Sequence, residues 1–362
     1  MTALLLVAVV TVFAALLPGL ARPTLPFGVR ITHDRVTDPA VTHQKAIYLR
    51  LLVVAGLLAV AGVVLIGGDF VWPSVLAVVD FGIYLRANHA VRVAKRDGRW
   101  GQDKREGVTV DTSFRTDPVR LPWTHLVPAA VITVVTFVVG LVRYGGLPAD
   151  LVRFTGFGVN PDGTEPVTWA RAFEPVLIQL GIVVLVPLVA LAVLRARPDL
   201  DAARPRGSAR RYRVYLRGVA TMTFWLAAAL TLGLAVSALQ VWHLVPAGTG
   251  WRVATYVPLA VMVVVLVVWD RRVGSAGHRL PAEPGEETEE SPVVQRDDDG
   301  HWYLGGLVYV NRQDPAAFVH ARIGHSWTMN LANPVTWLVL AAVLLLLVAA
   351  LTGLVPERES LF

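Results

Sequence analysis

Hydrophobic residues gather into eight runs: Thr2–Leu20, Ile47–Ile66, Val71–Ala87, Pro122–Leu141, Pro175–Leu194, Gly218–Trp242, Val253–Trp269 and Val335–Leu354. A helix needs about 20 residues to cross the hydrocarbon core of a bilayer. Core helices of soluble domains are usually shorter and carry a polar face. The pattern therefore predicts an all-α polytopic membrane protein with eight transmembrane helices. The stretch before the last run changes character. Trp302–Val310 is rich in aromatic and β-branched residues and reads as a strand. Asn311–Pro315 reads as a turn, and Phe318–His320 and Ser326–Met329 as short strands on either side of Gly324. Asn333-Pro334 is a cap followed by proline at the first helical position. The expected layout is a seven-helix bundle over 1–269, a linker over 270–300, a small cytoplasmic β-rich module over 301–334 and an eighth helix over 335–354.

Charge sets the orientation. Lys and Arg number five around the first loop, none in the second (around Asp69), nine in the third and three in the fourth. The fifth has eight, the sixth one, the seventh six, and Arg358 follows the last run, so 28 of the 33 cations fall on one side. Basic loops stay in the cytoplasm, which puts both termini outside and the module inside. No charge precedes Leu20, and the first cation, Arg22, follows the run. That favours an uncleaved first span over a secretory signal, which opens on basic residues. The net charge of +6 has the same origin and does not point to nucleic acid. With no cysteine, disulfides, thiol nucleophiles and Cys-ligated zinc are excluded. The preference for Arg over Lys, with abundant Ala, Val and Leu, suggests a GC-rich genome and a bacterial plasma membrane.

Few polar groups interrupt the runs. Ala229, Gly233 and Ser237 form a small-residue stripe of the kind that lets membrane helices approach closely. Pro187 should kink the fifth span. Asp80 is the one acid deep in a run, at a cost near 3 kcal/mol on insertion scales. It either binds a cation, proton or polar substrate, or it hydrogen-bonds another helix, with Tyr84 one turn away and Gln179 as a candidate partner. Glu174, His243 and Asp270 lie at span ends.

The loops carry the remaining signals. His89, Arg92, Lys95, Arg96 and Arg99 continue the third helix and end at Trp100, a basic extension suited to anionic headgroups or serving only as an orientation signal. The fifth loop, Arg195–Arg217, is basic. Pro281–Gly300 is acidic, with Glu283, Glu286, Glu287, Glu289, Glu290, Asp297, Asp298 and Asp299 against Arg296. Like charge and proline predict a disordered, solvated linker there, with a latch onto the basic loop as the alternative. The external loop Arg143–Glu174 is rich in glycine and turns, with Trp169 and Phe173 as interface anchors; it reads as a lid or receptor surface, or as a connector.

Within the module, Tyr309-Val310-Asn311, Asp314-Pro315, Arg322, Gly324, Trp327-Thr328, Asn330 and Asn333-Pro334 resemble the bacterial membrane proteins grouped as domain of unknown function 5808. Phe27-Gly28-Val29-Arg30 with Asp38-Pro39 resembles their first cytoplasmic loop. Leu147-Pro148 and Gly158–Asp162 are similar to domain of unknown function 1648 of Sdp-type immunity proteins. That family has a His between its motifs; here Val152, Arg153 and Phe154 stand there. The resemblance implies toxin immunity or envelope signalling and supplies no catalytic residues.

No protease, hydrolase or P-loop signature is present, and His320 and His325 are weak grounds for a metal, so no enzyme activity and no cofactor are expected. The candidate functional residues are Asp80, Tyr309, Asn311, Asp314, Arg322, Gly324, Trp327 and Asn330. Two functions compete. In one, a sensory, regulatory or immunity-type protein meets an extracellular peptide or envelope ligand and signals to a cytoplasmic protein partner through the module. In the other, a transporter or lipid-handling protein uses Asp80. The lipid bilayer is the common partner.

Overall fold

A computed structural model describes residues 2–68, 70–107, 111–286 and 292–351. Asp69, Glu287, Glu289, Glu290, the last residues of the eighth run and Arg358 lie outside the described residues. The chain is mostly helical: α1 (Thr2–Leu20), α2 (Pro39–Leu65), α3 (Val71–Asp97), α4 (Ser113–Thr116), α5 (Val127–Tyr144), α6 (Trp169–Leu194), α7 (Pro205–Val241), α8 (Thr249–Val273) and α9 (Pro334–Leu351). The strands are short: β1 (Arg105–Gly107), β2 (Asp150–Phe154), β3 (Val159–Pro166), β4 (Val293–Gln295), β5 (Trp302–Tyr303), β6 (Val308–Tyr309), β7 (Phe318–His320) and β8 (Trp327–Met329). They form four two-stranded sheets, β1 with β4, β2 with β3, β5 with β6 and β7 with β8.

Six helical stretches are long and apolar enough to cross a membrane: Ala3–Leu20, Pro39–Leu65, Trp123–Tyr144, Trp169–Leu194, Pro205–Val241 and Thr249–Gly277. Eight were expected. The other two fall below the same measure for different reasons. α3 carries Asp80, Arg86 and Asn88 through its middle and then a basic end, and of α9 the described side chains run unbroken only over Pro334–Leu345.

Several helices start before their apolar runs because polar residues cap them. The Asp38 carboxylate accepts the Ala40 amide at 2.9 Å and Pro39 occupies the first turn, so α2 begins at Pro39 and not Ile47. The Thr168 hydroxyl accepts the Arg171 amide at 3.2 Å and starts α6. α6 then runs unbroken through Pro187. Asn333 accepts the Val335 amide at 2.9 Å at the head of α9.

The chain divides into two compact units. One comprises Met1–Val110, Ala196–Ala209 and Pro281–Phe362. Here α1, α2 and α3 pack through Val7, Ala59 and Leu76. A second cluster joins Phe27, Val29 and Ile31 of the first loop to Tyr48 of α2 and Tyr84 and Val91 of α3. The Phe27, Tyr48 and Tyr84 rings meet edge to face at 5.2–6.4 Å. The Tyr48 hydroxyl donates to the Ala14 carbonyl at 2.8 Å.

The other unit comprises Asp111–Arg195 and Arg210–Leu280. Polar side chains tie its helices together. The Gln179 amide donates to the Thr231 carbonyl at 2.8 Å and the Thr136 hydroxyl at 3.4 Å. On the small-residue stripe, a Cβ at Gly233 would sit 2.6 Å from the Thr255 carbonyl of α8, so glycine permits that close approach, and the Ser237 hydroxyl donates to the Phe157 carbonyl. The loop Arg143–Glu174 is more regular than its glycines suggested: β2 and β3 form an antiparallel hairpin with a register shift at Val152/Arg153. It packs Leu151 and Val159 with Phe173 and Trp242. Trp169 stacks on Phe173 at 5.0 Å.

Candidate functional site

Seven of the eight candidate residues fall in one stretch, and the turns there explain most of them. The expected strand Trp302–Val310 is two strands, because Gly305 and Gly306 turn the chain with φ of +69° and +97°, a region only glycine enters freely. β5 and β6 pair antiparallel, Trp302 opposite Tyr309. The Tyr309 ring packs on Trp302 at 4.7 Å. Its hydroxyl donates to the Asp314 carboxylate at 3.0 Å and accepts from the Asn311 amide at 3.1 Å.

Asn330 is fully buried and ties this turn together. Its amide donates to the Asn311 and Asp314 carbonyls at 2.8 and 3.0 Å, and its side-chain oxygen accepts the Asn311 and Ala332 amides at 3.0 and 3.2 Å. Asp314 also caps the Ala316 amide and pairs with Arg197 at 2.7 Å. Gly324 supplies the φ of +61° between β7 and β8. Trp327 meets the buried His320 ring edge-on at 5.2 Å. Burial, followed by the Arg22 cation, pushes His320 down to about 3; the ring is neutral and its Nδ1–H donates to the Ala321 carbonyl at 2.9 Å. The motif residues thus face inward and hold a fold.

Arg322 is the exception, since it reaches across the unit. Its side chain is 1% exposed. The guanidinium donates to the Gly28 carbonyl at 2.7 Å, to the carboxylates of Asp298 and Asp299, and lies over the Trp302 ring at 5.0 Å. Arg30 joins the same acids: its Nε donates to Asp298 at 3.1 Å and its backbone amide to Asp299 at 3.1 Å. Its other end pairs with Asp199 at 3.3 Å, which Arg22 also holds at 3.1 Å. Lys95 of α3 closes the network on Asp297 and Asp299, both at 2.7 Å.

Burial raises each of these carboxyls, and the cations more than reverse it. Arg30 and Arg22 hold Asp199 well below the usual carboxylate range, Arg30 and Arg322 lower Asp298, and Arg322 and Lys95 bring Asp299 to about 2. Burial alone would lower Arg30; Asp199, Asp298 and Asp299 carry it well above its ordinary value. All three acids are therefore ionised at neutral pH.

This overturns the disordered-linker expectation at its C-terminal end. Asp297–Asp299 dock on Arg30, Arg322 and Lys95 because those cations neutralise the like charge that argued for disorder. β4, just upstream, pairs in parallel with β1. The basic fifth loop is not the partner for this triplet.

The loop quoted beside the module also meets it. Phe27 and Gly28 adopt φ of +50° and +77°, and a Cβ on Gly28 would overlap the Gly305 carbonyl at 2.0 Å. Asn88 of α3 donates to the Phe27 carbonyl at 2.6 Å, and the Tyr84 hydroxyl to the Gly305 carbonyl at 3.1 Å. Backbone contact this close leaves no room for side chains at Gly28.

Asp80 stands apart from all this, one helical turn before Tyr84. It is 4% exposed and neither carboxyl oxygen has a hydrogen-bond partner among the described residues. Gln179 spends its amide within the other unit, and the hydroxyls of Tyr84 and Tyr48 are committed to backbone carbonyls. Among the described residues, no group of three or more His, Asp or Glu could hold a metal ion.

Sequence reasoning missed Arg30, Lys95, Asp199, Asp298 and Asp299 as one site. The only signal was the acidic triplet directly before an aromatic strand.

Residues 312–337 match the model of a family of unknown function, DUF5808. The match takes in Asp314, Arg322, Gly324, Trp327 and Asn330 and begins just after Tyr309 and Asn311. No curated protein and no solved structure matches the chain.

Proposed function

We propose that this chain is a sensory or regulatory membrane protein of the immunity type, in which the 301–334 module passes the state of α1–α3 to a cytoplasmic protein. The observation that carries it is Arg322. One buried guanidinium joins the module to the first loop and to the acidic triplet, and Lys95 extends the network to α3. Movement of α3 against the first loop cannot leave such a network undisturbed, because a buried ion pair tolerates little loss of geometry. The reading takes α3 and α9 as spans, eight in all, in a bacterial plasma membrane, with both termini outside and the module inside. The alternation of basic loops supports that orientation. Tyr303, Leu304 and Leu307 are exposed beside Gly305, which packs on Tyr84 and Leu85; such an apolar turn suits the membrane surface. The likeness of the external hairpin to Sdp-type immunity proteins supports an outward ligand, a peptide or envelope component.

Arg312 and Gln313 sit exposed at the tip of the turn that Asn330 holds and are the residues a partner would meet. In the native host, a strain lacking the gene would be challenged with envelope-active peptides and complemented with wild type or with Arg312→Ala/Gln313→Ala. The double variant is expected to insert and melt like wild type but to lose the survival and transcript response. Full complementation by it would refute the partner face.

A second reading rests on Asp80, whose buried carboxyl has no hydrogen-bond partner among the described residues; ionisable groups inside spans mark proton and solute pathways. It expects Asp80→Asn to abolish proton or solute flux in proteoliposomes with the fold retained; equal flux in both proteins would remove it.

A further inference from the structure

The C-terminal turns of α3 form one wall of a cleft of about 440 Å³. His89, Arg92 and Arg96 fall at i, i+3 and i+7 on one helix face, with Lys95 beside them. Trp100, Asp297 and Asp299 also line it. Most charges around it are already spent. Asp299 belongs to Arg322 and Lys95, and the Arg35 guanidinium covers Trp100 at 5.6 Å. Lys95 is paired with Asp297 and Asp299, but the two arginines on the cleft, Arg92 and Arg96, are not matched in this way. Arg92 donates through one nitrogen to the Trp302 carbonyl at 2.9 Å, and its Nε is buried without a partner among the described residues. The Arg96 side chain is 77% exposed and its nearest acid is its neighbour Asp97 at 3.6 Å. The acids left on the rim, Asp297 and Glu106, are exposed.

We propose that this cleft binds a phosphate-bearing anion, held by Arg92 and Arg96 with Lys95 as the third cation. Guanidinium groups match phosphate oxygens in forked pairs, and Arg92 has a donor waiting. Depth agrees, on the reading above that α3 is a span: its 27 residues reach about 40 Å, and the hydrocarbon core takes up about 30 Å of that from Val71. Arg92, Lys95 and Arg96, beyond that length, then lie at headgroup level. Asp297 and Asp299 hold Lys95 together, and the more exposed Asp297 is the group an incoming phosphate displaces. The same chemistry is offered by an acidic phospholipid and by a soluble phosphate.

The test uses the full chain purified in zwitterionic detergent, titrated with dihexanoyl phosphatidic acid and, separately, with inorganic phosphate, and read by calorimetry and thermal unfolding. Saturable binding of at least one probe is expected. Arg92→Gln/Arg96→Gln should weaken it by at least about tenfold, the worth of one charged hydrogen bond. Arg96→Gln alone, at an exposed position, should weaken it with the melting temperature of the free protein unchanged. Asp297→Asn should tighten it by removing one of the two carboxylates that Lys95 pairs with. Saturation by phosphatidic acid alone assigns a lipid headgroup, and saturation by both probes assigns the phosphate group itself. Saturation by neither, or titrations that do not change in the Arg92/Arg96 variants, overturns the site. The orientation is tested apart from binding. The chain has no cysteine, so Gln102→Cys labels alone. Labelling from the outer face with phosphate binding intact would discard the topology and leave the site standing.

Discussion

Arg322 and Asp80 are both charged side chains buried in the same unit, at 2% and 4% exposure, and they could hardly be placed more differently. Arg322 meets two carboxylates, a carbonyl and an indole face. Asp80 meets no hydrogen-bond partner among the described residues. Burial is therefore a poor guide to what a charge does. A buried ion repays its desolvation only when its partners are in place, so Arg322 is part of what holds the unit in one arrangement. A buried acid without partners costs free energy, and a fold gains nothing structural by retaining it.

The strongest way to break the comparison is to remove the arginine. Arg322→Ala leaves Asp298 and Asp299 facing each other with only Arg30 and Lys95 to balance them. Removing one partner of a buried pair costs about 3–5 kcal/mol, and the expected result is a large drop in melting temperature of the full chain in detergent. Protease sensitivity should rise around 297–303. A loss below about 1 kcal/mol, typical of surface pairs, would mean that the network is solvated and the contrast with Asp80 false.

Acid should act on the same network with a smaller effect per group. The Asp299 carboxyl has a folded value of about 2 against an ordinary 3.8. A depressed carboxyl stabilises the fold above its unfolded value and loses that contribution as pH falls through the folded one. For Asp299 the loss therefore spans pH 4 to 2 and amounts to about 2 kcal/mol. Asp199 and Asp298 shift in the same direction and steepen it. Melting temperatures between pH 7 and pH 3 should fall in wild type and fall less in Arg322→Ala, which has already lost much of the shift. Equal slopes in the two proteins would show that the acids titrate independently of Arg322.

What could be read from the chain beforehand divides along the same line. Apolar runs mark helices in the bilayer because composition alone decides them, whereas the helix starts at Pro39 and Pro205 lie in polar sequence, where capping decides. The hairpin was hidden because β3 contains Pro161, Gly163 and Pro166, poor strand formers that a two-stranded sheet tolerates since both its strands are edges. The turn around Asn311–Asp314 was legible from residue types, but its meaning was not: Asn330 and Tyr309 stood as candidate functional residues and are interior. The Arg30–Asp299 contact joins residues 269 apart, and no local pattern specifies which of many charges will meet. Asp80 was legible as an anomaly for the opposite reason, since one acid in an apolar run needs no partner to be noticed.

The smallest expected effect is the one that sharpens the comparison most. Asp80→Asn keeps the shape and a polar tip and removes the group that can ionise. If Asp80 were holding another helix, the change would strand its partner, at about 1–3 kcal/mol for a buried group left unpaired. No partner is present among the described residues, and Tyr48 and Tyr84, the nearest hydroxyls on the packed helices, already donate to Ala14 and Gly305. The substitution should therefore leave the melting temperature unchanged or raise it slightly, by no more than about 1 kcal/mol on scales that price a polar residue in the bilayer. Asp80→Leu should raise it further, since it removes the polar group altogether. A clear loss of stability in both variants would place Asp80 in the same class as Arg322, a structural ion with a partner, and would take away the ground for assigning it a role in transport.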